Sequence, residues 1–435
     1  MKKRKRLLLL NLCVKAVATF FLGFASNIPV VLVVPTLNTW LAKAGVNYSS
    51  IGVFSLITIP YIIKFLFAPF FDKYTVPLLG TRFGQKRGWI FLLQPFVVLS
   101  IIGLANTNPI DRIYLMGIFA MAVALFSSFQ DIIIDSYRIS MLRPKEQLIG
   151  SSSVLLGGRF AYLISGAVAL FVVDYLCDVK GLCNNSINWK IVYIFSGFLS
   201  FSASIVVFFM GEPNPRKSEA NNLTHEHELS FPLHMITVPL QEILWSKNGL
   251  WVVVLVIIYR SCDSLIATMI SPFLVDTGFS LTEIAIVAKT FGLFSLVLGG
   301  FIGARIVYKS GIMMGLIVGG VVQMVSNVMF VVQAKVGYNL PLLYITIATE
   351  NICGSIATTA ILGYISEIAS RARFSGTVYA VFSSISLIDR AILPIIAGTI
   401  ADKFGWVILF NVSVVIGIPA LALVFFLRKY SQEKI

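Results

Sequence analysis

Two aspartates on one apolar stretch, Asp131 and Asp135, are the residues of this chain best suited to proton chemistry. They stand four positions apart, so in a helix they share one face. Two carboxylates held together at low dielectric constant cannot both ionise easily, and such a pair can take up a proton and release it again. In the alternative arrangement, Asp135 forms an ion pair with Arg138 and only Asp131 exchanges a proton. We predict Asp131 and Asp135 to be proton-coupling residues.

Other ionisable residues also interrupt long apolar stretches. The acids are Asp263, Glu350 and Asp389, and the bases are Lys64, Arg159, Arg260, Lys289 and Arg390. Ionisable side chains are costly inside a bilayer and usually face the interior of a helix bundle or a watery cavity. Glu350 is a third candidate for proton coupling. Arg159, Lys289 and Arg390 are candidates for binding substrate carboxylates, because an unpaired anion in a buried cavity is unfavourable.

Neighbouring polar residues complete the predicted site. The further candidates for contact with substrate are Gln130, Tyr162, Arg260, Asp263 and Asn351. The candidates for a conformational or gating role are Lys64, Asp72 and Arg87. For each charged residue, the simpler interpretation is an ion pair that only holds helices together.

The spacing of the charges suggests where such ion pairs would form. Arg260 and Asp263 stand three positions apart, which fits a local ion pair as well as a substrate contact. Asp389 and Arg390 are adjacent and point in different directions, so at least one needs a partner on another helix. Lys64 lies near one end of its stretch, where it could extend to the membrane surface or pair with the stretch that carries Asp131.

The composition identifies the class of protein that positions these residues. The chain has 435 residues, of which 57% are hydrophobic and 12% charged, whereas a soluble domain is about 45–50% apolar and about 25% charged. This excludes a soluble enzyme, a disordered chain and a nucleic-acid-binding domain. No nucleophile–base pair, metal-ligand set or phosphate-binding loop stands in a suitable context, so we expect no enzyme activity, metal or cofactor.

Long hydrophobic runs predict an all-α integral membrane protein with twelve spans, since a spanning helix needs about 20 apolar residues. The predicted spans are 14–36, 49–70, 89–107, 113–137, 148–173, 190–211, 249–275, 281–303, 312–334, 340–365, 374–400 and 405–427. A polar segment divides them into two six-helix halves. The predicted organisation is an N-terminal half over 1–211, a cytoplasmic linker over 212–247 and a C-terminal half over 248–435.

The distribution of charge predicts the orientation. With the N-terminus in the cytoplasm, the cytoplasmic segments hold 22 Lys and Arg residues and the opposite side holds six, as the positive-inside rule requires. Both termini are then cytoplasmic. Cys177 and Cys183 share a loop on the opposite side and could form a disulfide there. Spans three, six, nine and twelve carry no charge in their cores, which fits lipid-facing helices around a polar path between two repeats.

Several motifs resemble the major facilitator superfamily and, more narrowly, its AmpG muropeptide permease family. The loop between spans two and three, with Asp72-Lys73 and Gly84-Gln85-Lys86-Arg87-Gly88, is similar to the signature of the superfamily. The stretches similar to the AmpG family are 61–74, 130–144, 157–166, 278–283, 288–293 and 350–354. Together they extend over most of the chain.

The resemblance implies a major facilitator fold and a transport function. It implies proton-driven import of N-acetylglucosaminyl-1,6-anhydro-N-acetylmuramyl peptides across a bacterial inner membrane, by alternating access. Peptidoglycan recycling and β-lactamase induction are the processes that the family serves. We expect a monomer in the lipid bilayer. Two alternatives are a carrier of another organic anion, because acetyl-CoA transporters have a similar motif in span four, and a membrane sensor that does not transport.

Overall fold

The computed structural model describes residues 2–143, 146–180, 185–213, 249–371, 381–382 and 384–432. The described residues form helices joined by short turns, without β-strands. Eleven of the described helices are long and apolar enough to cross a bilayer. The prediction of an all-α membrane protein is confirmed.

We label the twelve spanning segments α1 to α12. They are α1 (Leu12–Lys43), α2 (Tyr48–Leu66), α3 (Gln85–Ala105), α4 (Ile113–Met141), α5 (Ile149–Cys177), α6 (Ile187–Met210), α7 (Gly249–Asp276), α8 (Leu281–Ser310), α9 (Ile312–Val336), α10 (Leu340–Ala369), α11 (Ile388–Phe404) and α12 (Trp406–Arg428). The first part of the eleventh predicted span and residues 214–247 of the predicted linker lie outside the described residues. Cys177 is disulfide-bonded. Cys183, its predicted partner, lies outside the described residues.

The helices form two compact units. The first unit comprises Met1–Thr36 and Ile63–Ser230, and the second comprises Leu37–Ile62 and Phe231–Ile435. The second unit thus includes the end of α1 and most of α2, which precede the predicted linker. The predicted boundaries at 211 and 248 stay a prediction.

Irregular turns occur where several of the predicted site residues lie. A tight 3₁₀ turn begins at Lys64 in α2. A wide π-helical segment over Ala285–Phe291 contains Lys289 of α8, and another begins directly after Tyr162 in α5. Such interruptions of the α-helical hydrogen-bond pattern are frequent at functional sites.

Close approach of helix backbones positions the elements of the first unit. A Cβ atom on Gly157 of α5 would lie 2.0 Å from the carbonyl oxygen of Phe20 in α1, so only glycine permits this packing. Beside this contact, Leu22 of α1, Ile90 of α3 and Ile133 of α4 pack in one buried apolar cluster. This packing brings α1 and α4, which carry the candidate proton site, next to each other.

The second unit has an equivalent close contact between α2 and α11. A Cβ atom on Gly398 would lie 2.1 Å from the carbonyl oxygen of Tyr48, and one on Gly52 would lie 2.3 Å from that of Pro394. The Asp402 carboxylate accepts hydrogen bonds from the backbone N–H groups of Tyr48 at 2.9 Å and Ser49 at 2.7 Å. These bonds satisfy the otherwise unpaired N–H groups at the start of α2.

Candidate functional site

The Asp131 carboxylate lies between two donors on neighbouring helices of the first unit. Lys64 Nζ of α2 donates to Asp131 Oδ2, and Ser26 Oγ of α1 donates to Asp131 Oδ1. The Lys64 and Asp131 side chains are 31% and 26% exposed, so this ion pair is only partly buried. Of the two alternatives for Lys64, pairing with α4 is the one observed. The two oxygens of the Asp131 carboxylate thus contact an ammonium group and a hydroxyl from two other helices.

Asp135 lies one turn further along α4 and has a different partner. Arg138 Nη2 lies 3.3 Å from Asp135 Oδ1, and Arg138 Nη1 donates to Ser151 Oγ of α5 at 2.9 Å. The Asp135 side chain is 48% exposed. The local ion pair that the sequence allowed is therefore present, and Asp131 and Asp135 are each neutralised by a separate base.

Gln130 precedes Asp131 but occupies another environment. It is 3% exposed, and its Nε2 donates to Gln94 Oε1 of α3 at 2.7 Å. Gln94 Nε2 in turn donates to Ser200 Oγ of α6 at 3.0 Å. The Gln130 side chain thus belongs to a buried hydrogen-bond chain that connects three helices, which is a structural role in this conformation.

The two candidates on α5 lie close together. The Arg159 side chain is exposed and Tyr162 is partly buried. Their side chains interact electrostatically. Among the described residues, no carboxylate lies within ion-pair distance of Arg159.

In the second unit, one aspartate receives two arginines. Arg260 Nη2 donates to Asp263 Oδ2 within α7, and Arg390 Nη2 of α11 donates to the same oxygen at 3.1 Å. Asp263 is 7% exposed, whereas Arg390 is 39% exposed. Both expected contacts are present. Arg260 and Asp263 form the local pair within α7, and Arg390 of α11 has its partner, Asp263, on another helix. Within this triad, two positive charges share one carboxylate.

Glu350 and Asn351 of α10 lie near this triad. Asn351 Nδ2 donates to Glu350 Oε2 at 2.7 Å. Glu350 interacts electrostatically with Asp263, Arg260 and Arg390. Arg260, Asp263 and Arg390 therefore form one charged cluster with Glu350. Asn351 is attached to this cluster by its hydrogen bond to Glu350.

Lys289 of α8 is set apart from the charged cluster by its burial. It is 5% exposed, and its Nζ lies 3.4 Å from Ser271 Oγ of α7. A buried ammonium group beside a hydroxyl has a favourable site for an anionic or polar ligand group.

The predicted gating residue Arg87 connects the start of α3 with the end of α6. Its Nη2 donates to the carbonyl oxygen of Phe208 at 3.1 Å. Glu212, directly after α6, accepts from the backbone N–H groups of Lys86 at 3.0 Å and Arg87 at 3.1 Å. Glu212 thereby caps α3, where the helix dipole favours an anion. The Asp72 side chain lies outside the described part of the chain.

Sequence reasoning missed Ser26 and the pair formed by Lys15 and Glu146. Lys15 Nζ of α1 donates to Glu146 Oε2 at 2.8 Å, and the backbone N–H of Arg143 donates to the same oxygen at 2.9 Å. Burial raises the pKa of the Glu146 carboxyl, but the bonds from Lys15 and Arg143 outweigh burial and leave this pKa below its usual value. The sequence feature that could have indicated this pair is Lys15, a basic residue near the start of an apolar span.

Comparison with families of known proteins gives one family for the whole chain. A model described as Major Facilitator Superfamily matches residues 16–332 and 262–435. The AmpG 1 protein of Rickettsia bellii is 30% identical over 415 residues, which are 94% of this chain and 97% of that protein. The anhydromuropeptide permease of Escherichia coli K12 is 26% identical over 409 residues, which are 94% of this chain and 78% of the permease.

Solved structures with the same fold are transporters of distant sequence. A D-xylose-proton symporter superposes with a TM-score of 0.68 and 12% identity, covering 95% of this chain and 96% of the symporter. A bacterial homologue of the human lysosomal transporter Spinster gives a TM-score of 0.65 and 14% identity, covering 96% of each chain. At these identities the likeness concerns the fold alone.

Proposed function

This chain belongs to the Major Facilitator Superfamily and, within it, to the AmpG family of membrane transporters, and from this premise we propose that it imports anhydromuropeptides together with protons. The substrate class is taken from the relative that is named anhydromuropeptide permease. The proposed location is a bacterial inner membrane, with both termini in the cytoplasm and import from the periplasm by alternating access. The proposed working unit is the monomer.

The observation that carries the proposal is the contact of Asp131 with Lys64 and Ser26. A proton that binds Asp131 forms an O–H bond and removes the negative charge that neutralises Lys64. The freed ammonium group can then bind a carboxylate of the substrate peptide. Loss of the proton restores the Lys64–Asp131 pair and expels the carboxylate. Proton and anion thus occupy the site together, which is the requirement for symport.

The second unit has its own candidates for binding an anionic group. Arg390 is 39% exposed and shares Asp263 with Arg260, so Asp263 offsets its positive charge only in part. A substrate carboxylate would offset that charge. Each positive charge that moves inward also gains about 2.3 kcal/mol per 100 mV of membrane potential. Import of the substrate with more protons than its own negative charge is therefore favoured by both the pH gradient and the potential.

Uptake by bacterial cells that lack their own muropeptide permease tests the substrate and the energy source. Cells that express this chain should accumulate labelled anhydromuropeptide, and an uncoupler should abolish the accumulation. Excess unlabelled acetyl-CoA should leave uptake unchanged. Equal accumulation with the uncoupler would contradict proton coupling, and competition by acetyl-CoA would favour a carrier of another organic anion.

A further inference from the structure

Asp389 differs from four other acids in the spans, because neither of its carboxylate oxygens has a well-aligned hydrogen bond among the described residues. Asp131, Asp135, Asp263 and Glu350 each have a direct donor or ion-pair partner. Both carboxylate oxygens of Asp389 lack a partner among the described residues, and the residue is only 5% exposed. An ionised carboxylate that is buried without a donor is strongly disfavoured.

No basic group of the described residues forms an ion pair with Asp389. Arg390 of its own helix and Arg260 of α7 are the charged groups that interact with it, and both donate to Asp263 instead. The α2 and α12 helices also pack against α11 but contribute no charge to this set. Asp389 lies in the first turn of α11, where the backbone N–H group of Arg390 is near its carboxylate without a well-aligned hydrogen bond.

A hydroxyl that matches a neutral carboxylic acid lies beside Asp389. Ser264 of α7 is fully buried, its Oγ also lacks a partner, and its side chain interacts with that of Asp389. A protonated carboxyl can donate to a serine oxygen and accept from the serine hydroxyl. A small rotation of either side chain would form these hydrogen bonds, and the protonated carboxyl, unlike the carboxylate, then needs no counter-charge.

We infer that Asp389 carries a proton in this conformation and is a second proton-binding group of the transporter, located in the second unit. On release, the O–H bond of the carboxyl breaks and the proton passes to water. The carboxylate that remains is then stabilised by the charges of Arg390 and Arg260. The role in transport rests on the proposed function: each import cycle would move one proton through Asp131 and one through Asp389.

Infrared difference spectroscopy on the purified full chain tests the protonation directly. The spectrum of the wild type minus that of Asp389→Asn should contain the C=O stretching band of a protonated carboxylic acid at neutral pH. Asp402→Asn is the matched control on the same helix, because Asp402 accepts two backbone hydrogen bonds and should be ionised. Absence of the band from the Asp389 difference spectrum would overturn the inference.

A second variant covers the case in which Asp389→Asn fails to fold. Ser264→Ala removes the hydroxyl partner, so the carboxyl band should move to the higher wavenumber of an acid without a hydrogen bond. An unchanged spectrum would contradict the pairing and the inference with it.

The proton-to-substrate ratio tests the role in transport. In proteoliposomes with labelled anhydromuropeptide, the ratio obtained from the reversal potential should fall from two in the wild type to one in Asp389→Asn. An unchanged ratio would overturn the second site. If the wild type itself shows no proton-driven uptake, the proposed function fails, and the infrared result still decides the protonation of Asp389.

Discussion

Lys64 of α2 donates to the carboxylate of Asp131 of α4, and these two residues form an ion pair within the first unit. A base and an acid from different helices are thus joined at the point where proton exchange and anion binding can influence one another. In the proposed mechanism, protonation of Asp131 and binding of a substrate carboxylate to Lys64 depend on each other, because both change the charge of this pair.

Replacing Lys64 should weaken binding of acidic substrates specifically. A hydrogen bond to a charged group contributes about 1.5–3 kcal/mol, so Lys64→Gln should raise the KM for uptake about 10- to 100-fold. A substrate whose peptide carboxylates are amidated provides the control, because it cannot use the ammonium group. Uptake assays with the two substrates should show a large effect on the acidic one only, and equal effects on both would argue against a direct contact.

Removing Asp263 should destabilise the protein more than removing Asp131. Asp263→Asn removes the carboxylate that Arg260 and Arg390 share, and breaking a buried pair in this way costs about 3–5 kcal/mol. Asp131 is 26% exposed against 7% for Asp263, so water can solvate the Lys64 that Asp131→Asn leaves behind. Thermal unfolding in detergent should give a clearly lower Tm for Asp263→Asn, and a higher Tm for it than for Asp131→Asn would be inconsistent with the triad.

The contact between α2 and α11 should not tolerate a methyl group. In Gly398→Ala the Cβ atom would meet the carbonyl oxygen of Tyr48 at 2.1 Å, and overpacking of this kind costs about 1–3 kcal/mol. We expect a lower Tm and faster labelling of Ser49→Cys by a membrane-impermeant maleimide. Gly363→Ala is the control, because nothing lies within 4 Å of its added Cβ atom. Identical labelling rates in the two backgrounds would show that the contact does not constrain α2.

The bond between Lys15 and Glu146 should make stability depend on acid pH. The pKa of Glu146 in the folded protein lies below its usual value, because bonds from Lys15 and Arg143 outweigh the effect of burial. Its stabilisation is therefore complete above the unfolded pKa of about 4.3 and is lost as pH falls through the lower folded value. Glu146→Gln should lower stability by about 1 kcal/mol or less at neutral pH. Unfolding curves of the wild type and the variant should converge in acid; a constant gap would exclude this titration.

The helical architecture could be predicted because it depends on the length of apolar runs. Each predicted span corresponds to a helix wherever the structure describes it, with ends that differ by up to seven residues. The local pairs of Asp135 with Arg138 and of Arg260 with Asp263 could also be predicted, since three-residue spacing places both members on one helical face.

Contacts between helices could be predicted only as alternatives. The sequence allowed Lys64 to reach the membrane surface or α4, and only the packing of α2 against α4 decides between them. Gln130 and Asp131 are adjacent, but neighbours in a helix point in different directions, so one joins a buried amide chain and the other an ion pair. Ser26 could not be predicted, because nothing in the sequence distinguishes it from the other serines within the spans.

Uptake by Asp131→Asn in proteoliposomes with an imposed proton gradient tests proton coupling at Asp131 most directly. The wild type and the control Asp111→Asn, an exposed loop acid, should accumulate labelled anhydromuropeptide only when the outside is more acidic. Asp131→Asn should exchange internal for external substrate without responding to the gradient. Accumulation by Asp131→Asn with the same gradient dependence as the wild type would contradict the account.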